Sequence, residues 1–397
     1  MGAGMDFAFT PEQTAFRMEL RAWLRDNLPA GWGGTFQGPE DPHENAEFRR
    51  AWDRKIYEAG YNAVHWPKEY GGRELSIFHT LIVSEELGRV AAPEPFNTAG
   101  TETAGPLLMG AGTDAQKARF LPRIAAVEDI WCQGFTEPEA GSDLSSLKTR
   151  AVRDGDAWVI EGRKIWTSHA READWCVLLA RTDPDARTSG ALTVFAVPMH
   201  TPGIEVRPLR QITGRADFNE ILFDNARIPA DSPIGAVNDG WRVANQSVAR
   251  ERTLIRLYRQ ARFQNEFEHV FRAAMTRRRG AGVVADDADF QQQAAEIFAM
   301  LRIFRIQNLR LLSRLEAGET VGAEASFLRL LWTEARQKIG QLGLDVLGED
   351  AVLNDGETCG EGRFQDVYFS SRADTIVAGT AQIQRNIVAE RILGLPR

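Results

Sequence analysis

The chain has 397 residues, 47 Lys plus Arg against 55 Asp plus Glu, and a formal net charge of −8. Apolar residues make up 43 % and charged residues 26 %, ordinary globular usage that excludes a disordered, collagenous or fibrous chain. At about 150 residues per domain the length suggests two to three structural units, and the acidic balance gives no support to nucleic-acid binding, which relies on clustered positive charge.

In chain order, Thr10-Pro11-Glu12-Gln13 reads as a helix start. Thr10 can cap, Pro11 suits the first helical position, and Gln13 can complete a capping box. Phe16, Leu20, Trp23 and Leu24 then recur at helical spacing, and Phe48, Trp52, Ile56 and Ala59 repeat the pattern up to Gly60. Helical patterns continue through Leu81–Leu87 and Gln116–Ile124. The middle changes character. Trp158–Ile160, Trp175–Leu179, Leu192–Val197, Gly203–Val206 and Glu220–Phe223 are short β-type runs separated by Gly, Pro and Asp. That spacing predicts an antiparallel sandwich or barrel. From Gly240 the pattern is helical again, and Ile297–Leu315 has the length of a helix in a bundle or subunit interface. The expected organisation is α+β multidomain: an N-terminal helical domain over 1–125, a central β domain over 126–235 and a C-terminal helical domain over 236–397. The basic run Arg277–Arg279 reads as the solvated end of a helix.

Cys132, Cys176 and Cys359 lie far apart in sequence without a CxxC pair. An odd number argues against a disulfide framework and fits a reducing compartment. No signal-peptide pattern and no run of about 18 apolar residues occurs, so the expectation is a cytoplasmic protein without membrane association. The six histidines show no ligand spacing, so no metal site is expected. Gly280–Ala285 matches GxGxxA formally but follows three arginines between helical segments, not a strand. A nicotinamide enzyme on a doubly wound sheet is thereby disfavoured.

Three segments carry chemistry together: Gln133-Gly134-Phe135-Thr136-Glu137-Pro138-Glu139-Ala140-Gly141-Ser142-Asp143, Gly162-Arg163-Lys164-Ile165-Trp166-Thr167-Ser168 and Ile376-Val377-Ala378-Gly379-Thr380-Ala381-Gln382-Ile383-Gln384-Arg385. Taken singly, the first is a polar turn rich in hydroxyls and backbone donors or simply a surface loop, and the second ends a β-run with an exposed-looking Trp followed by two hydroxyls, the alternative being a strand-end Trp in the core. The third is a Gly-Thr turn entering a helix, where free backbone N–H groups can hold an anion or polar ring. Taken together they supply an aromatic wall, hydroxyl donors and a donor-rich turn, the group types a flavin needs.

In these patterns, TEPxAGSD, GxKxWxS and GTxxIQR in this order, the chain resembles the acyl-CoA dehydrogenase family over nearly its full length. The resemblance implies a C-terminal four-helix bundle that makes the oligomer, FAD as cofactor and an acyl-CoA thioester as substrate. By motif, Phe135 and Thr136 would contact the flavin pyrimidine edge, Gly141 would be a further cofactor contact, and Ser142 would sit near the flavin and the CoA pyrophosphate. Trp166 would stack on the isoalloxazine and Ser168 would hydrogen-bond near N5, with Thr167 a further cofactor contact, while Thr380 and Gln382 would hold the cofactor from the bundle. Gly379 would sit with Ala378 beside the thioester.

Many members read Glu-Gly-Thr in the third motif, and that Glu is the base. Here the position is Ala378, which cannot take a proton. The helix after Gly240 carries an apolar stripe of Ala244, Val248, Ile255 and Tyr258, and Glu251 falls on it. A carboxylate there needs a partner or a task, and Ser247, Leu254 and Ile255 offer no intrahelical ion pair. An Arg from another segment is one reading. The other comes from the resemblance: isovaleryl-CoA, long-chain and several bacterial steroid-side-chain members place the base on this helix before an Arg, as in Glu251-Arg252. Burial among apolar groups is then expected to raise the Glu251 carboxyl, and Arg252 is a candidate contact for the anionic substrate.

A second departure concerns the half-site that typical members offer to a neighbour. Arg277–Gly280 lacks the family's Phe-Gly pair, and Asp345–Ala351 keeps one glycine of the adenosine segment and adds three acids. Carboxylates repel a pyrophosphate. The pattern resembles bacterial heterotetrameric members, in which a paralogous chain completes the FAD site; a homo-oligomer with a divergent cradle is the other expectation. The function implied is FAD-dependent α,β-dehydrogenation of an acyl-CoA, with electrons passed to an electron-transfer flavoprotein. The alternatives are an acyl-CoA oxidase using oxygen and a non-catalytic subunit of a mixed oligomer. The acyl group, governed by a pocket helix over Phe96–Leu108, is not legible.

Overall fold

The computed structural model describes residues 8–32, 39, 41–183, 189–319, 322–353 and 362–396, without the side chains of 42, 189 and 246–256. The fold is α+β, with N-terminal helices, a central β domain and a C-terminal four-helix bundle. Its contacts gather into two compact units. The helical unit draws on Met1–Gln37, Ser76–Ala92 and Arg256–Arg397, and the sheet unit on Gly38–Leu75 and Pro93–Ile255.

In the helical unit, α1 (Pro11–Asn27) begins at Thr10 with the capping box the sequence predicts: Gln13 N donates to the Thr10 hydroxyl and Thr10 N to the Gln13 side chain. It packs on α3 (Ile77–Arg89) through Phe16 edge-on to His79 and through Arg17 to Glu85 (2.6 Å) and Arg21 to Glu86 (2.8 Å). The C-terminal helices hold this pair. Arg305 reaches Glu85 (2.8 Å), Tyr258 donates to Ala92 O (3.0 Å) and Asn265 to Arg89 O (2.9 Å). A Cβ added at Gly88 would lie 2.7 Å from the Ala261 Cβ, a contact only glycine permits. The bundle consists of α6 (Gly240–Thr276), α7 (Ala288–Glu316), α8 (Glu324–Leu347) and α9 (Arg363–Asp374), followed by the short α10 (Ala381–Ile387). Its core joins Phe263 and Phe267 of α6, Leu301 and Phe304 of α7, Trp332 and Ile339 of α8, and Phe364 of α9. Between α6 and α7, Arg278–Arg279 and Gly282–Val283 form a two-residue-per-strand hairpin, β9 and β10. The three arginines therefore leave the helix end after Thr276 and turn at Gly280, whose φ is +59°.

In the sheet unit, α2 (Pro42–Glu58), α4 (Gly105–Ala111) and α5 (Asp114–Ala125) precede eight strands. These are β1 (Trp131–Gly134), β2 (Arg150–Asp154), β3 (Ala157–Ser168), β4 (Trp175–Arg181), β5 (Leu192–Pro198), β6 (Ile204–Leu209), β7 (Phe218–Pro229) and β8 (Pro233–Ile234). One half runs β6-β7-β3-β2 and the other β4-β5-β8, joined by the bridge Arg150↔Arg181. Residues from both halves (Ala151, Ile160, Ile221 and Phe223; Cys176, Leu178, Phe195 and Val197) share one apolar cluster. The pairing is antiparallel except for that bridge and for β1, which runs parallel to β4 and sets Cys132 beside Cys176. The two thiols, remote in sequence, are buried neighbours, and burial pushes the Cys132 thiol well up; Cys359 lies outside the described residues. No described helix is long and apolar enough to cross a membrane.

Candidate active site

Strand β3 shows how the sheet unit builds its exposed face. Strand alternation puts residues 158, 160, 162, 164 and 166 on one side. Trp158, Ile160 and Lys164 are indeed buried, so the pattern also sends Trp166 inward. The register with β7 instead shifts between Lys164 and Thr167, and Trp166 adopts φ +60°. The bulge reverses the alternation: Trp166 is 56 % exposed and Thr167 is buried. The reading of Trp166 as a core residue is thereby excluded. Thr167 offers that face only its backbone, while Ser168 is exposed.

The turn after β1 is fastened alongside. Ile165 N donates to Thr136 O (2.9 Å), which sets Thr136 next to Trp166. Beneath them Lys164, fully buried, donates to Phe135 O (3.1 Å) and to Glu137 Oε1 (2.8 Å). Glu137 also accepts from Thr149 N (2.9 Å) and Lys148 N (2.6 Å). Burial would raise the Glu137 carboxyl, but Lys164 and these donors hold it below the usual range, and burial draws the Lys164 ammonium down to about 8. Phe135 is buried, Thr136 half-buried, and Gly141 and Ser142 exposed. The face thus offers an indole wall with Ser168 further along the same strand and Thr136 beside it, groups that fit a planar polar ring, while Gly141 and Ser142 lie exposed on the turn after β1.

The helical unit carries the third motif on the turn between α9 and α10. Ala378 has φ +51° and is exposed; Gly379 has φ +93°. Thr380 caps α10 by accepting from Ile383 N (3.3 Å), and Gln382 is exposed. Sequence reasoning missed the two side chains that hold this turn from beneath. Arg329, 2 % exposed on α8, donates to Asp374 O (2.7 Å), to Gly379 O (3.2 Å) and to Val377 O. Gln384, fully buried, faces Ala378 O (3.5 Å) and Gly379 O (3.4 Å) with its amide. An Arg interrupting the apolar pattern of α8 was the available signal. Glu251 and Arg252 lie on α6, and their side chains lie outside the described residues.

The arginines of the divergent half-site are already occupied. Arg277 pairs with Asp350 and donates to Leu347 O (2.8 Å); Arg279 donates to Asp345 O (2.5 Å) and faces Asp287 (3.5 Å). A cavity of about 200 Å³ beside them is lined by Arg279, Phe290, Leu342, Asp345 and Val346.

Three family models match the chain in order: the acyl-CoA dehydrogenase N-terminal domain over residues 10–128, the middle domain over 132–226 and the C-terminal domain over 238–393. The chain is 42 % identical to acyl-CoA dehydrogenase IpdE1 of Mycobacterium tuberculosis, over 96 % of this chain and 97 % of that one. Among solved structures it is similar to the Tcur3481-Tcur3483 steroid ACAD, with TM-score 0.86 and 30 % identity over 99 % of this chain and 100 % of that one. The ChsE4-ChsE5 complex from Mycobacterium tuberculosis matches with TM-score 0.85 and 30 % identity over the same shares. The indole face of β3, the Ala-Gly-Thr turn and these matches along the whole length agree, and the chain belongs to the acyl-CoA dehydrogenase family of oxidoreductases.

Proposed function

We propose that the chain catalyses FAD-dependent α,β-dehydrogenation of an acyl-CoA thioester, with Glu251 as base. The observation that carries this reading is Trp166. A left-handed bulge holds a large apolar side chain out of the core, an arrangement that stores strain while leaving the indole more than half exposed, and so marks a functional face. Bound FAD would supply the acceptor for the β-hydrogen, which leaves carbon with both bonding electrons. Trp166, Thr136, Ser142 and Ser168 are the residues of the sheet unit that would hold the ring, and the family motif adds Thr380 and Gln382 as further cofactor contacts. The Glu251 carboxylate takes the α-proton as the C–H bond breaks, leaving an α,β-double bond. That proton becomes acidic as charge gathers on the thioester oxygen, and the backbone N–H of residue 378 is the donor this chain provides for it. Replacing the family's Glu by Ala378 leaves that amide in place.

Glu251→Gln is expected to lower substrate-dependent bleaching of the flavin by about 100-fold or more with flavin content unchanged. Full turnover in the variant would remove Glu251 from the mechanism. Under substrate, reduction of an added electron-transfer flavoprotein supports the dehydrogenase; stoichiometric peroxide in air would identify an oxidase. A bulky, ring-bearing acyl group is the favoured substrate class, supported by the likeness to a steroid ACAD. Bleaching by a steroid-side-chain thioester but not by a short straight-chain one tests it.

The same proposal includes a paralogous partner chain. Arg277 and Arg279 spend their charge on Asp350, Asp287 and backbone carbonyls of their own chain, which leaves that surface poorly suited to a pyrophosphate. The likeness to the ChsE4-ChsE5 complex supports this reading.

A further inference from the structure

We propose that Arg329 is a positioning residue that fixes the Val377–Ala378 peptide so that its N–H, and not its carbonyl, is offered to the substrate. The inference rests on the reading that residue 378 donates to the thioester oxygen.

In a trans peptide the C=O and the N–H of the next residue point in opposite directions. Where a buried side chain binds the carbonyl, the adjoining N–H is turned the other way. Arg329 binds Val377 O, which directs the Ala378 N–H away from the bundle interior. It also binds Gly379 O, which does the same for Thr380 N–H, and the Gln384 amide faces Ala378 O, which does so for Gly379 N–H. Three consecutive N–H groups are thus set by two buried side chains. The arrangement needs enforcement. Ala378 sits at φ +51°, a region that disfavours any residue with a Cβ. Flipping the Val377–Ala378 peptide would relieve that strain while presenting a carbonyl where the donor belongs. The guanidinium is itself fixed: it lies 5.1 Å from the Trp332 ring and donates to Asp374 O at the end of α9. An oxyanion donor must be held before charge develops, because its value lies in needing no reorganisation at that moment.

The test uses the flavin-loaded enzyme, with its partner chain if it needs one, and the variants Arg329→Met and Arg329→Lys. Two readouts accompany turnover. One is the enolate fraction of a bound β-ketoacyl-CoA, which reports oxyanion stabilisation without any redox step. The other is the orientation of the Val377–Ala378 peptide in a crystal structure of the flavin-free Met variant. Expected for Arg329→Met are a kcat lower by about 100-fold, a KM within threefold, unchanged flavin content, a smaller enolate fraction and a flipped peptide. Arg329→Lys is expected to recover part of both the rate and the enolate fraction. A Met variant within twofold of the parent in kcat and enolate fraction would overturn the proposal. If Arg329→Met does not fold, Arg329→Gln carries the test with the same signs, since its shorter amide lacks the guanidinium's reach to Val377 O and Gly379 O, and parent-like kcat and enolate fraction there overturn the proposal equally. A parent enzyme that no acyl-CoA bleaches would instead refute the proposed function, so the two failures are separable.

Discussion

Trp166 bears two penalties at once. Its left-handed φ of +60° costs about 1–2 kcal/mol for a residue with a Cβ, and its exposed indole forfeits burial worth about 1.5–3 kcal/mol. Trp166→Gly should therefore act with opposite signs on two measurements. Chemical denaturation of the flavin-free chain should show stability unchanged or raised by up to about 1 kcal/mol, since glycine relieves the left-handed φ while the lost packing is that of a half-exposed ring set edge-on to Phe218. FAD affinity should fall at least tenfold. A variant that lost stability while keeping its affinity would make Trp166 a structural residue. The residue types of this site were legible in the sequence, as was an exposed Trp166 ending its β-run; the bulge that turns it outward against strand alternation was not. Three residues on, His169 is pushed down to about 3, by burial first and by Arg49 second. Its ring packs 4.6 Å from Phe96, whose N–H donates to the buried Asp53. A histidine lowered below 6.5 contributes stability that is complete above that pH and is lost as pH falls toward 3. Asp53, raised by burial to about 6, acts with the opposite sign, its contribution being lost as pH rises from 3.8 through 6. His169→Asn, which tolerates the +54° φ, should remove the first effect and flatten the acid side of a stability-against-pH curve. An unchanged acid limb would place the acid sensitivity elsewhere.

Helix α5 illustrates how a single cap can also bind two elements. Thr113 and Gln116 form a reciprocal capping box, and the Gln116 amide continues to Asp231 O and Pro233 O, both at 2.9 Å, at the edge strand β8. Thr113→Ala removes only a cap and should cost about 1 kcal/mol. Gln116→Leu strands two carbonyls as well and should cost about 2–3 kcal/mol, read by urea denaturation with an unchanged slope. Equal losses in both variants would show that the bonds to β8 contribute nothing. At this scale the sequence was legible wherever a local signal existed. The Thr10 capping box and the start of α1 fell where Pro11 and Gln13 place them, and the strand runs between residues 158 and 223 became β3 to β7. What escaped was pairing between distant segments. The parallel seat of β1 beside β4 depends on residues some forty positions apart, and no local pattern announces it. The hairpin at Arg278–Val283 is too short for periodicity to register, so its arginines read as a helix end. Arg329 and Gln384 escaped for the same reason: their partners are carbonyls, which the side-chain sequence does not display.

For the whole molecule, the proposal of a paralogous partner, supported by the intrachain pairing of Arg277 and Arg279, predicts that cofactor loading belongs to an assembly. Coexpression with a genomically adjacent paralogue should yield a copurifying complex with about one FAD per two chains, whereas this chain alone should be folded and nearly colourless. Stoichiometric FAD in the chain alone would refute the partner, and the visible spectrum decides. A different consequence follows from the threading of the helical unit. Helices α1 and α3 are specified before residue 92, yet Ala261, Tyr258, Asn265 and Arg305, which hold them, come after the sheet unit has been encoded. On a ribosome adding roughly 5–20 residues per second, the α1–α3 pair waits roughly ten to forty seconds for its full set of partners. Throughout that interval it is an incomplete apolar surface carried by a nascent chain, while the strands behind it have everything they need to close. Synthesis order therefore makes the sheet unit the first to mature, and makes the N-terminal helices the part of this polypeptide most in need of a chaperone.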